Sequence, residues 1–199
     1  MMVQNKRNNK NITVHLPQYR QWCRDILLPP LETKSVKIDR RLIVDVTRDW
    51  LGTPYLHQSS TKNQGTDCLG LIRGVYRDLY GREPERPPAY TPDWNERFAK
   101  EEPLLSAAQR HLVPCRGQEF KLGRVLIFRI VPGGPAKHCG IVTRFEGDMG
   151  LNNTQHLHHT VSTPAHFIHA YAGRAVIESW LSRWWRERIV GVFDYPGAD

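Results

Sequence analysis

Three residues of this chain could make and break an acyl bond together: Cys68, His138 and His169. The thiolate is the attacking form of cysteine, and a free thiol with a pKa of about 8.5 is mostly protonated at neutral pH. Nucleophilic cysteine chemistry therefore needs a base beside the sulfur and a group that orients the base. Cys68 stands in TDCLGLIRGVY (66–76), with Leu69, Ile72, Val75, Tyr76 and Leu79 at helical spacing. That spacing predicts a helix that starts at the cysteine, with Thr66 or Asp67 as its N-cap and Gly81 as its stop. The amide end of a helix carries about half a unit of positive charge, which favours a thiolate. His138 opens the β-branched stretch HCGIVTRF (138–145), and His169 lies within AHFIHAY (165–171). If these are neighbouring antiparallel strands, period-two alternation sets the two rings side by side on one face, with Gly140 and Val142 beside His138 and with Phe167 and Tyr171 beside His169. The apolar face of the Cys68 helix is expected on that side, with Gly140 making room for it. In the resulting line Cys68 attacks, His138 takes its proton and His169 holds the His138 ring through its second nitrogen. Taken singly, each is an ordinary residue, a buried cysteine or a strand histidine. Their order and their elements carry the reading.

The elements that must position this trio follow from the pattern along the chain. Asp39 caps a predicted helix to about Leu51, with Leu42, Ile43, Val46 and Trp50 on one face, and Gly52-Thr53-Pro54-Tyr55 turns out of it. Residues 57–66 read as a polar loop. Gly70 and Gly74 each weaken a helix by about 1 kcal/mol, which close approach of another element would explain. Pro84, Pro87, Pro88 and Pro92 make a stiff crossing, and one or two short helices are expected between Asn95 and Leu112. Strands are expected at Gly123–Val131, His138–Phe145, Ala165–Tyr171, Arg174–Glu178 and Ile189–Tyr195, with a helical turn or two at Trp180–Arg186. Helices first and strands afterwards is an α+β order, an antiparallel sheet packed on the early helices.

Composition narrows the classes. The 199 residues suffice for one domain with a core of its own. The formal charge is +8, but residues 1–40 carry eight Lys/Arg against three Asp/Glu and the rest twenty against seventeen. The body is close to balanced, which argues against a nucleic-acid partner. We therefore divide the chain into a basic N-terminal extension at 1–39, disordered over 1–12, and a domain at 40–199. Residues 13–38, with Leu16, Tyr19, Trp22, Ile26, Leu27 and Leu28, read as a short helix or an arm that packs on the body or on a partner. The cysteines at 23, 68, 115 and 139 form no C-x-x-C pair, so neither a zinc ribbon nor a disulfide framework is expected. No apolar run approaches the ~20 residues of a membrane span, and no secretory signal is visible.

The motifs GTPY (52–55), DCLGL (67–71), HCGIV (138–142) and IHAY (168–171) resemble those of the NlpC family of papain-like cell-wall cysteine peptidases. The likeness extends over roughly residues 40–196. It is strongest to the branch found in phage tail gene clusters and gene transfer agents, through PPAYTPDW (87–94), GGPAKHCGI (133–141) and ESWLSRWWRERIVGVFDYP (178–196). The resemblance implies a papain-like α+β core and hydrolysis of amide bonds in peptidoglycan stem peptides, without a cofactor or metal. It implies Cys68 as nucleophile, His138 as base and His169 as the orienting residue. Tyr55 and Asp67 are implied as substrate-binding residues, with Asp67 also a helix cap. Leu69 departs from the pattern, since many members carry there a serine that helps read the substrate's free amine. A protein made in the bacterial cytoplasm and carried to the wall by a tail particle, with tail proteins as partners, is the implied setting. An amidase or acyltransferase using the same pair, and a structural tail-tip protein, are the competing readings.

Other features carry less. His156, His158 and His159 read as a solvated loop rather than a metal site, and Cys68, His138 and His169 as a catalytic rather than a zinc-binding set. Trp180, Trp184 and Trp185 are expected to close the core at the sheet's edge, with Arg183, Arg186 and Arg188 outside. Cys139 points away from the His138 face and is expected to pack. Cys23 and Cys115 carry no signal.

Overall fold

The computed structural model describes residues 37–87, 102–115, 120–145 and 164–199. The basic extension, Cys23, the proline-rich stretch beyond Pro87 and the histidines at 156, 158 and 159 lie outside the described residues.

A six-stranded antiparallel sheet carries helices against one face, the α+β arrangement expected. Its spatial order is β3 (Val113–Pro114), β8 (Ile189–Asp194), β4 (Val125–Phe128), β5 (His138–Phe145), β6 (Pro164–Ala170) and β7 (Val176–Trp180). Helix α1 (Arg40–Arg48) is capped by Asp39, whose side chain accepts from the Arg41 N–H at 2.8 Å. The helix is shorter than expected and its buried face is Ile43, Val44 and Thr47 rather than a stripe through Leu42, which is exposed. Trp50 is buried, but from the turn that follows. Two residues ahead of the expected domain start, the Ile38 N–H donates to the Gly197 carbonyl at 2.8 Å. The 57–66 stretch is not all loop: β1 (Ser60–Thr61) and β2 (Gly65–Thr66) form a tiny hairpin. Two polar residues per strand leave no alternation for a sequence pattern to catch.

Helix α2 (Cys68–Tyr80) runs from an Asp67 cap to Gly81, which takes φ +73° and returns its N–H to the Arg77 carbonyl. Its two glycines answer to neighbours. A Cβ on Gly70 would sit 1.9 Å from the Ser59 carbonyl oxygen, and one on Gly74 would sit 2.2 Å from the Trp50 ring. The hairpin and the turn after α1 therefore lie directly on the α2 backbone. Helix α3 (Pro103–His111) follows, with proline in its first turn.

Apolar side chains fill both sides of the sheet. On the helix side, Cys139, Ile141, Ile168 and Ala170 join Ile43, Leu71 and Val75. On the other side, Leu126, Phe128, Val142 and Phe167 pack with Leu181, Val192 and Trp185, the last of these from the short helix α4 (Arg183–Arg186). This corrects one expectation. Helix α2 packs on the Cys139/Ile141 face, not on the face of Gly140 and Val142. Gly140 makes room for strand β6 instead, since a Cβ there would meet the Phe167 ring at 2.6 Å and the Ile168 carbonyl at 2.9 Å. Both faces of β5 are apolar, so alternation separates them without saying which one meets the helix. Trp185 closes a core as expected, whereas Trp180 ends strand β7 and is 60 % exposed, and Trp184 is 46 % exposed beneath the Arg188 guanidinium.

Candidate active site

Cys68 occupies the first turn of α2 because Asp67 ends the extended chain and starts the helix. One Asp67 oxygen accepts from the Gly70 N–H and the other from the Gln58 N–H, each at 2.7 Å. The carboxylate is 3 % exposed and fully engaged, so its cap role is visible and it also anchors the 57–66 loop to the helix start. Cys68 itself is half-buried. Its sulfur lies 3.8 Å from the Lys137 carbonyl oxygen, at the beginning of β5. That is where the helix side and the opposite side of the sheet meet, and the next residue, His138, acts on the Cys68 thiol from there.

Antiparallel pairing of Ile141 with Ile168 and of Val142 with Phe167 sets the register of β5 against β6. It brings His138 Nε2 to 2.8 Å from His169 Nδ1. With Nε2 taken by His169, Nδ1 is the His138 nitrogen left for Cys68, whose thiol His138 pulls down. The two imidazole nitrogens face each other rather than converging on a point where a metal could sit. The structure thus brings Cys68, His138 and His169 together, with the helix approaching from the face opposite to the one expected.

The electrostatics suit a nucleophile. The Cys68 thiol is pulled down to about 5, first by a hydrogen bond with the Cys139 thiol and next by the ring and charge of His138; burial and the Asp67 charge work against this. Cys139 is fully buried and within 3.2 Å of the Cys68 carbonyl oxygen, and its own thiol is pushed well up. It packs, as expected, but it also touches Cys68. Cys115 is the contrast: burial and then Asp194 push it up to about 11, so it stays a thiol. His169 is fully buried, and desolvation, with the His138 charge second, holds it down to about 3. It is therefore a neutral ring at physiological pH. Burial, with Cys68 and Asp67 as nearby charges, raises the Tyr55 hydroxyl and keeps it a neutral donor. The Tyr55 backbone is fixed beside the site by its N–H on the Arg174 carbonyl and by a bridge to Thr66.

Two residues stand at this site whose contacts there have no local signature. Trp185 packs its ring 5.3 Å from the rings of both His138 and His169. Ser179 sets its hydroxyl 2.9 Å from His169 Nε2. Trp185 was seen only as core, and a lone serine late in a strand has no pattern of its own. Among the described residues, no cluster of three or more His, Cys, Asp or Glu side chains could hold a metal, and no helix is long and apolar enough to cross a membrane.

Comparison with known proteins agrees with this fold. The model of the NlpC/P60 family matches residues 52–193. Among solved structures, an NlpC/P60 family protein from Bacillus cereus ATCC 10987 is similar at 17% identity and a TM-score of 0.52, over 80% of this chain and 41% of that one. The NlpC/p60 domain of the peptidoglycan hydrolase SagA is similar at 22% identity and a TM-score of 0.48, over 79% of this chain and 99% of that one. A Staphylococcus aureus Mu50 protein described as similar to lipoprotein, NLP/P60 family, matches at 19% identity and a TM-score of 0.48, over 82% of this chain and 44% of that one. The chain thus spans less than half the length of the Bacillus and Staphylococcus proteins. No match is found among curated proteins.

Proposed function

The chain belongs to the NlpC/P60 family, and from that premise we propose that it is a cysteine peptidase that hydrolyses amide bonds in the stem peptides of peptidoglycan. The observation that carries the proposal is the His138–His169 contact at 2.8 Å beside a helix-start cysteine whose thiol is pulled down to about 5. The Cys68 thiolate attacks the amide carbonyl. Backbone N–H groups at the helix start stabilise the oxyanion, and the Tyr55 hydroxyl is placed to help bind it or the substrate. His138 passes its proton to the leaving amine, then draws a proton from water as the acyl-enzyme is hydrolysed. His169, neutral throughout, orients His138. Asp67 contributes by holding the helix start and the 57–66 wall in place.

The setting is part of the same proposal. The resemblance to tail-associated members and the basic stretch at 1–39 fit a domain at 40–199 delivered to the wall by a particle, with the extension docking to tail proteins. Capture of tail proteins by the full chain, lost on deletion of 1–39, is the expected outcome; equal capture by both contradicts that role.

A specific observation favours a second reading, transfer of an apolar acyl group. Leu69 replaces a polar residue and, with Ile72, Leu104, Val125 and Cys139, lines an apolar cavity beside the nucleophile. That cavity is small, at about 50 Å³, so the peptidase reading stands first. A substrate panel separates the two. Wild-type protein incubated with purified peptidoglycan is expected to release stem fragments whose masses show one water gained per cleaved bond. Intact peptidoglycan, together with transfer of acyl groups from an activated ester to an added amine, would support the second reading.

A further inference from the structure

The line of catalytic groups does not end at His169. Strands β6 and β7 pair His169 with Ile177 and Phe167 with Ser179. Ser179 is therefore the diagonal neighbour of His169 on the same sheet face, within side-chain reach, and its Oγ lies 2.9 Å from His169 Nε2. A buried neutral imidazole carries one N–H, and its two nitrogens here have one partner each: His138 at Nδ1 and Ser179 at Nε2. We propose that Ser179 is a fourth, positioning member of this site, which accepts a hydrogen bond from His169 Nε2–H and so holds His169 in the tautomer that lets His138 carry two protons.

Proton count assigns Ser179 this role, given the reading of Cys68 and His138 as the nucleophile and base. When Cys68 is a thiolate and His138 an imidazolium, His138 donates from Nδ1 to sulfur and from Nε2 to its neighbour. His169 Nδ1 must then be a bare acceptor, so its proton sits on Nε2 and needs an acceptor in turn. After His138 gives its Nδ1 proton to the leaving amine, it keeps the Nε2 proton and the same tautomer of His169 still fits. The hydroxyl of Ser179 satisfies that tautomer through the whole cycle. An alanine there leaves a buried N–H without a partner and moves the His169 proton to Nδ1, where it faces the His138 N–H. The thiolate–imidazolium pair then loses its support.

Two measurements test this, and neither needs substrate. In long-range ¹H–¹⁵N spectra of histidine-labelled wild-type protein near neutral pH, His169 is expected to be protonated at Nε2 and bare at Nδ1. Protonation at Nδ1 would overturn the proposal without any variant. The second is the pH dependence of Cys68 alkylation by iodoacetamide. Ser179→Ala is expected to slow alkylation near pH 6 by about tenfold, by analogy with the lower end of the effect of groups that orient a metal-bound histidine; Ser179→Thr, which keeps the hydroxyl, is expected to restore it. Superimposable profiles for wild type and a folded Ser179→Ala would overturn the proposal. If the alanine variant does not fold, the wild-type tautomer and the threonine profile still decide. Protein that shows the expected tautomer and profiles yet leaves peptidoglycan intact would refute the substrate and leave the role of Ser179 standing.

Discussion

At the scale of single residues, the low thiol at Cys68 and the neutral ring at His169 have consequences that differ in sign and window. Cys68 is an acid whose folded pKa lies near 5, below an unfolded value of about 8.5. Its thiolate is thus present above about pH 5 and is lost as pH falls through that value. Alkylation of wild type should accordingly stay fast down to about pH 5, and both Cys139→Ala and His138→Ala should move the midpoint upward. A midpoint near 8.5 in wild type would refute the low thiol. His169 is a base whose folded pKa is depressed to about 3, against about 6.5 unfolded. The unfolded chain takes up a proton first, so stability falls as pH drops from about 6.5 toward 3, by roughly a few kcal/mol for a ring buried this fully. Urea titrations at pH 7 and pH 4.5 should show a smaller pH-dependent loss for His169→Gln than for wild type; equal losses would place the acid sensitivity elsewhere. The proximity of His138 and His169 was legible because each opens or interrupts a β-branched run near a turn. Ser179 and Trp185 were not, since their roles exist only through cross-strand and cross-core contacts that no local pattern encodes.

At the scale of elements, α2 is the part on which everything else is set, and its glycines separate two kinds of constraint. At Gly70 the constraint is space: the Ser59 carbonyl lies 1.9 Å from where a Cβ would be. At Gly81 the space is open and the constraint is the φ of +73°. Gly81→Ala should therefore cost about 1–2 kcal/mol, the ordinary penalty of a left-handed residue. Gly70→Ala should cost as much or more, up to about 3 kcal/mol for overpacking, and should also displace the loop held by Asp67, slowing Cys68 alkylation. Equilibrium unfolding checks the stabilities; unchanged alkylation in Gly70→Ala would show that the loop does not tune the site. The glycine pair, the aspartate cap and the glycine stop were all readable, because each is a local device with a local signature. The side of β5 that meets the helix was not, because Cys139 and Ile141 are as apolar as Gly140 and Val142. The β1–β2 hairpin was missed for the opposite reason, being too polar and too short to show a period.

At the scale of the whole molecule, a six-stranded sheet serves as a rigid bar that fixes two histidines, while a helix laid across one face brings the cysteine to the start of β5. The order of elements, helices before strands, made this α+β architecture legible, and the family match agrees with it. The strand order β3-β8-β4-β5-β6-β7 was not legible, since the last strand inserts beside β4 through contacts far apart in sequence. Ion pairs secure that insertion: Asp194 at the end of β8 accepts from Arg40 at 2.6 Å and from Arg124 at 3.2 Å, and these guanidinium groups hold its carboxyl below the usual range against the opposing effect of burial. The central claim for the molecule is that its chemistry runs through the Cys68 sulfur. The most direct measurement is the rate of stem-peptide cleavage in purified peptidoglycan, read by product mass, for wild type beside Cys68→Ala. The account predicts fragments from wild type and a loss of at least about 10³-fold in the variant, as expected when a covalent nucleophile is removed. Cleavage by Cys68→Ala at the wild-type rate would contradict it.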